Sequence, residues 1–497
     1  MNQATRGHTD QEPDYRHVRD ASVRGAGAGA LALVAKTLLR LGSIVLLARL
    51  LTPADFGLIA MAGTVLSLFV FVADLGLHMA SVQRRQLSAD ELSTLFWINV
   101  VGGVLLASLT VASAPLLVLI FDEPRVIGAA AALSLTLVAI GVGTQHEAVL
   151  RRRLSYSFLH VSGIISQTLG LGVALVSALA GASYWALILQ QIVAHVSRVT
   201  LLWAKTHWRP RRPGPFVDVL PMLRYGSRLV PAHLLAHTAR SFGEVLVGVS
   251  AGAAELGQFR RAHGMATLVE EARLPLKTIV PASLSRLQDR GREFARFYLH
   301  AISASSFAGC AFVGWMAAEA PAAVIIVLGD QWLAAIPLIR WLAPAGLAVA
   351  LGTATEWLLM PLGHMKRLLA LRAVRLGVIV VGVLFGWRWG VIGVAVGYSG
   401  AACISVGLEL FGATAGTTVE MRRLTVAIVR PILAAVGAGY LVYNIQTPVS
   451  IVPFLLELLC YVAVFATIHT ILPGGWTVTR SLFRAVRRTV RPRPDTL

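Results

Sequence analysis

The side chains best placed to do chemistry are ionisable groups set inside long apolar runs. Lys36 and Arg40 stand one helical turn apart, on one face, in the run that ends at Leu50. At ~1.5 Å of rise per residue, Arg40 lies about 15 Å from that end, near the middle of a bilayer-length helix. Arg240 precedes Ser250 by the same number of residues, so it occupies the same depth in its own run. Guanidinium forks bind phosphate oxygens bidentately, and two midplane arginines would form a cationic site suited to a pyrophosphate. Lys36 extends that patch, and Lys277 does so from a later run. The competing reading pairs these cations with Asp74, Glu244, Glu270 or Glu271 and has them only hold helices together. Those four carboxylates have a second role open to them, because intramembrane carboxylates carry coupling protons or cations in secondary transporters.

Other polar residues support less specific chemistry. His233 and His237 have a spacing that can bind metal, but no third ligand is evident, so they read as helix-interface histidines and no metal is predicted. Pro231, Pro275 and Pro281 either free backbone groups for a ligand or only kink their helices. No residues stand out as catalytic. No nucleotide-sugar motif, phosphate-cradling glycine loop or cofactor signature is present.

The elements that hold these charges are read from composition. Of 497 residues, 56% are hydrophobic and 14% charged, with a mean hydropathy of +0.70. No soluble core needs that much apolar surface. The net charge of +19 does not point to nucleic acid, because Lys and Arg collect in short segments between apolar runs. Spans of roughly 20 residues cross a ~30 Å hydrocarbon core. They recur near 26–50, 56–82, 94–120, 126–149, 158–180, 183–204, 222–250, 260–284, 298–327, 333–360, 368–386, 390–412, 424–443 and 450–472. The chain is therefore expected to be an all-α polytopic membrane protein of about fourteen transmembrane helices. The seventh and eighth spans are the least apolar, yet omitting either would invert every later loop. With both in place, basic residues alternate: Arg84–Arg85, Arg151–Arg153, Lys205–Arg212, Arg286–Arg296, Lys366–Arg367 and Arg422–Arg423 fall with both termini on one face. The positive-inside rule makes that face cytoplasmic.

An internal repeat is visible. Leu51-Thr52-Pro53-Ala54-Asp55-Phe56-Gly57 is similar to Ala251-Gly252-Ala253-Ala254-Glu255-Leu256-Gly257, at an offset of 200, and Phe121-Asp122-Glu123 to Leu328-Gly329-Asp330 at nearly the same offset. This pattern implies two pseudo-repeated six-helix lobes, 26–206 and 222–412, joined by a basic cytoplasmic linker at 207–221. Two further helices follow in 413–472, with tails at 1–25 and 473–497. The second tail spaces Val478, Leu482, Val486 and Val490 among arginines, as a helix lying on anionic membrane lipids or as a disordered topogenic tail. Trp185, Trp203, Trp208, Trp332, Trp387 and Trp389 read as interfacial anchors, and Cys310, Cys403 and Cys460 as small core residues.

The chain resembles the Wzx-type polysaccharide flippases of the multidrug/oligosaccharidyl-lipid/polysaccharide exporter superfamily, in the colanic-acid and teichuronic-acid branch. The likeness is carried by Leu47-Ala48-Arg49-Leu50 running into the first repeat segment, and by Asp74-Leu75-Gly76, Leu95-Phe96-Trp97-Ile98-Asn99, Arg151-Arg152-Arg153-Leu154, Tyr184-Trp185-Ala186-Leu187, Tyr225-Gly226-Ser227 and Leu328-Gly329-Asp330-Gln331-Trp332. The resemblance implies a non-enzymatic transporter in the bacterial inner membrane. Its substrate would be a polyprenyl-pyrophosphate-linked oligosaccharide, moved by alternating access for exopolysaccharide, capsule or O-antigen synthesis. It further implies coupling to a proton or sodium gradient and work alongside a polysaccharide polymerase and export proteins. A drug exporter of the same superfamily is the nearer rival, but it would favour an acidic pocket where Lys36 and Arg40 stand. A membrane glycosyltransferase or polymerase would carry an extended soluble loop that this chain lacks.

Overall fold

The computed structural model describes residues 34–74, 88–227, 230–272, 274–445, 450–473 and 475–476, and their regular structure is entirely helical. Helix α1 (34–50) leads into α2 (Pro53–Asp74), α3 (Ala89–Phe121), α4 (Val126–Arg152), α5 (Tyr156–Leu179) and α6 (Trp185–Thr206). After the linker come α7 (Leu220–Ser227), α8 (Val230–Thr267), α9 (Val269–Ala272) and α10 (Leu274–Arg286). Then follow α11 (Gly291–Ala318), α12 (Ala320–Val327), α13 (Ala335–Leu359), α14 (Met365–Gly386), α15 (Gly390–Thr414), α16 (Met421–Tyr443) and α17 (Ile451–Ile471). Within the described residues, each span expected from hydropathy and charge alternation falls on helix, the eighth and ninth on more than one.

Ten helical stretches among the described residues are long and apolar enough to cross a membrane, one of them holding both α14 and α15. The helices of the seventh and eighth spans are not in that set, for the reason visible in their sequence: they are studded with charge. α8 covers both spans as two arms that meet at Gly252, whose φ of 81° is open to glycine and strained for other residues. The eighth span thus begins at 253, earlier than its hydropathy suggests, and is interrupted again at Leu268, before α9. The ninth span is likewise broken, between Ala318 and Ala320.

The chain divides into two compact units. The first comprises residues up to Leu50, Phe69–Ser113 and Gly128–Leu229. Within it the Gln190 amide donates to Ser43 Oγ at 2.8 Å, joining α6 to α1. The basic linker is strapped to α3: Trp97 Nε1 donates to the Arg211 carbonyl at 2.9 Å, and the Gly214 N–H to Thr94 Oγ1 at 2.8 Å.

The second unit comprises Leu51–Leu68, Ala114–Ile127 and the chain from Val230 onward. α2 opens on a capping box, with Thr52 N–H and Oγ1 donating to Asp55 Oδ2 at 2.9 and 2.8 Å. The turn between α3 and α4 is held by Arg125, whose guanidinium donates twice to Glu123 at 2.8 Å and keeps that carboxyl below its usual range. The two added helices pack on α11 through Cys310, Ala434, Ala438, Tyr461 and Phe465, all buried.

Two expectations about apolar residues are corrected. Trp332 is wholly buried, edge-on to Phe56 at 5.4 Å between centroids, with the Arg261 guanidinium over both rings. It is a packing residue, whereas Trp185, Trp387 and Trp389 are exposed near helix ends. Cys310 is buried, but Cys403 and Cys460 lie on the outer surface. In a bilayer an outward face is as apolar as the core, so hydropathy cannot separate the two.

Candidate functional site

The charged side chains collect into one cluster in the first unit and two in the second. In the first unit, Lys36 and Arg40 are exposed on α1, which places them at the protein surface rather than in its packing. Nearby charges come from other helices. Glu147 of α4 accepts from Arg151 at 2.7 Å and from Arg198 of α6 at 2.9 Å. His160 of α5 lies within electrostatic reach of Lys36, Arg151 and Arg198. Gly163 makes room for the Arg198 guanidinium, which would stand 2.9 Å from a Cβ there. Two guanidinium groups, one from α4 and one from α6, thus share the Glu147 carboxylate.

In the second unit, Arg240 of α8 lines a cavity of about 100 Å³ with Glu270, Glu356, Arg372, Arg375 and Tyr398. Arg240 is half-exposed and stands 3.9 Å from Glu270. At that separation and exposure the pair is weak, and the guanidinium stays available to other partners. The opposite wall is far tighter. Arg372 of α14 reaches Glu356 of α13 at 2.6 Å and Glu409 of α15 at 3.3 Å, and Arg375 holds the other oxygen of Glu409 at 3.3 Å. Glu409, Arg372 and Arg375 are all buried. Gly352 creates the space, since a Cβ there would come within 2.6 Å of the Arg375 guanidinium.

A third group sits on the two arms of α8. Glu244 bonds His263 Nδ1 at 3.2 Å and lies 3.9 Å from Arg260. His237 Nε2 meets Ser67 Oγ of α2 at 3.0 Å and so serves a helix contact. Among the described residues no three His, Cys, Asp or Glu side chains converge as a metal site.

Of the residues singled out by sequence, the structure brings Arg240 and Glu270 together in the second unit and sets Lys36 and Arg40 on one helix of the first. Glu244 lies apart from Arg240, with His263 and Arg260 as its partners. Asp74, Glu271 and Lys277 lie on described helices, but their side chains fall outside the described residues, as does the tail at 1–25. Sequence reasoning missed Glu147, Arg198, Glu356, Arg372, Arg375 and Glu409. Each stands inside an expected span, so the same rule that selected Arg40 and Arg240 would have found them had it been applied to every helix.

Comparison with known proteins agrees with the fold. The lipid II flippase MurJ, in an inward closed conformation, superposes with a TM-score of 0.68 over 90% of this chain and 98% of its own, at 12% identity. An inward-facing multidrug resistance MATE family transporter of the MOP superfamily gives 0.62 over 76% and 94%, at 15% identity. In sequence, the lipopolysaccharide biosynthesis protein WzxC of Escherichia coli is 25% identical over 79% of this chain and 81% of its own. The succinoglycan biosynthesis transport protein ExoT of Rhizobium meliloti is 25% identical over 64% and 65%. The teichuronic acid biosynthesis protein TuaB of Bacillus subtilis is 22% identical over 56% and 58%. Residues 46–337, more than half of the chain, match the family described as Polysaccharide biosynthesis protein, and the chain belongs to that family.

Proposed function

We propose that this protein flips a polyprenyl-pyrophosphate-linked oligosaccharide across the bacterial inner membrane, by alternating access of two six-helix lobes, to supply exopolysaccharide, capsule or O-antigen synthesis. The observation that carries the reading is the set of arginines held within this helical fold, above all Arg151 and Arg198 on the carboxylate of Glu147 and Arg372 and Arg375 on that of Glu409. A diphosphate carries the charge such a site lacks, and guanidinium groups match its oxygens. A small-cation exporter would need the opposite balance. Arg40 and Arg240 are assigned the pyrophosphate, with Lys36 and Lys277 extending the patch. No bond-making step is assigned to the chain.

The positive-inside rule, applied to the basic loops, supports cytoplasmic termini. Coupling to a proton or sodium gradient falls to Asp74, Glu244, Glu270 and Glu271. Of these, Glu244 contacts His263 and Arg260, and gaining a proton would weaken both contacts. Anionic lipids engage the basic tail, and a polymerase and export proteins take up the delivered product.

The test is genetic and biochemical. Cells lacking the gene accumulate lipid-linked oligosaccharide on the cytoplasmic side, and Arg40→Ala or Arg240→Ala abolishes export at unchanged protein level. Unchanged glycan export in the deletion strain would sink the flippase reading, and normal export by both variants would sink the pyrophosphate clamp.

A further inference from the structure

A cationic concavity that shares no lining residue with these charge clusters lies where the first turns of α11 and α16 run side by side. Arg292, Arg296 and His300 follow one another at four-residue steps, so they share one face of α11. Arg423 and Arg430, seven residues apart, share the facing side of α16. These five line a cavity of about 450 Å³ with a single carboxylate, Glu420, which is largely exposed and lies 2.9 Å from Arg423. One end is closed by Thr418, whose hydroxyl donates to the Gly291 carbonyl at 3.1 Å.

Basic residues at helix ends are ordinary for a membrane protein, and each then extends into water by itself. Here the two helices aim theirs into one hollow. Like charges at four-residue spacing repel one another on a helix, so this arrangement is destabilising unless an anion enters. The hollow also continues onto an apolar track. Val426 borders it, and Val426, Val429, Leu433 and Val436 follow on one outward face of α16 at 46%, 41%, 54% and 65% exposure. A ligand charged at one end and apolar along its length satisfies both parts, which free phosphate does not.

We propose that the groove between α11 and α16 binds the headgroup of an anionic phospholipid, its phosphodiester among Arg292, Arg296, Arg423 and Arg430 and its acyl chains along Val429, Leu433 and Val436. The groove is on the membrane face where the basic loops collect, and that leaflet carries anionic lipid when it faces the cytoplasm. This site is separate from the proposed oligosaccharide path, and its occupancy is independent of flipping.

The experiment reconstitutes the full chain in nanodiscs of phosphatidylcholine doped with phosphatidylglycerol, releases it into detergent, and identifies retained lipid by native mass spectrometry. Phosphatidylglycerol is retained in preference to phosphatidylcholine by the natural protein, and Arg296→Gln combined with Arg430→Gln lowers that preference roughly thirtyfold, from about fivefold per lost surface cation. Arg388→Gln, in a remote exposed turn, leaves it unchanged. Thermal melting confirms that the double variant is folded, and the single Arg296→Gln variant gives the same reading at a smaller loss. Equal retention of the two lipids, an unchanged preference in the double variant, or complete displacement of lipid by inorganic phosphate each overturns the proposal. Arg40→Ala keeps the phosphatidylglycerol preference whether or not it exports glycan, and loss of that preference in Arg40→Ala would overturn the proposal while leaving the flippase reading standing.

Discussion

Gly57 and Gly257 face each other where the start of α2 crosses the second arm of α8. A Cβ on Gly57 would overlap the Ala253 carbonyl, and a Cβ on Gly257 would overlap the Pro53 carbonyl. Both glycines and both carbonyls are related by the 200-residue offset seen in the repeat. The repeated segments are therefore also each other's partners, packed backbone to backbone in the second unit, as small residues allow between membrane helices.

Gly57→Ala and Gly257→Ala should each destabilise the protein by about 1 to 3 kcal/mol, because the obstructing atoms are backbone and cannot rotate away. Gly63→Ala is the control, since its added Cβ would stand an ordinary 3.7 Å from the Arg260 guanidinium. Thermal melting in detergent checks the difference. Equal melting of Gly57→Ala and Gly63→Ala would show that the two helices are not in contact.

Removing Glu409 leaves Arg372 and Arg375 buried with reduced compensation. Glu409→Ala is expected to cost about 3 to 5 kcal/mol, the scale for breaking a buried ion pair. Arg372→Lys should also destabilise, because an ammonium cannot reach Glu356 and Glu409 together as the guanidinium does. Both effects are read from melting curves and from yield in the membrane.

Arg240 and Glu270 should behave differently from that network. Their 3.9 Å separation and the half-exposure of Arg240 put the pair at about 0 to 1 kcal/mol, so Glu270→Gln barely moves the melting temperature. Glycan export is then the informative measurement for this pair. Under the pyrophosphate assignment, Arg240→Ala abolishes export while Glu270→Gln leaves Arg240 in place for the substrate. Loss of both export and melting stability in Arg240→Ala would make it a structural residue instead.

The Thr52–Asp55 box gives a local test. Asp55→Ala removes the acceptor of two hydrogen bonds at the start of α2 and should cost about 1 kcal/mol. Asp55→Glu keeps the charge near the helix start, so it recovers part of that loss. Melting of the two variants beside the natural protein ranks them.

Hydropathy and the alternation of basic loops determined, without coordinates, that the chain is a bundle of membrane helices and roughly where each helix lies. They could do so because a span must satisfy its own backbone hydrogen bonds, which leaves a local signal some twenty residues long. The alternation also required helices at the seventh and eighth spans, where α8 and α10 are found although neither is among the described helices both long and apolar enough to cross a membrane. What a charge touches was not legible. Whether Arg240 meets Glu270, whether Glu409 lies between Arg372 and Arg375, and whether Trp332 is an anchor or a buried ring all depend on which helices become neighbours and how each is rotated. In a bilayer both sides of a helix are apolar, so the sequence carries little record of that rotation, and only the packed structure decides it.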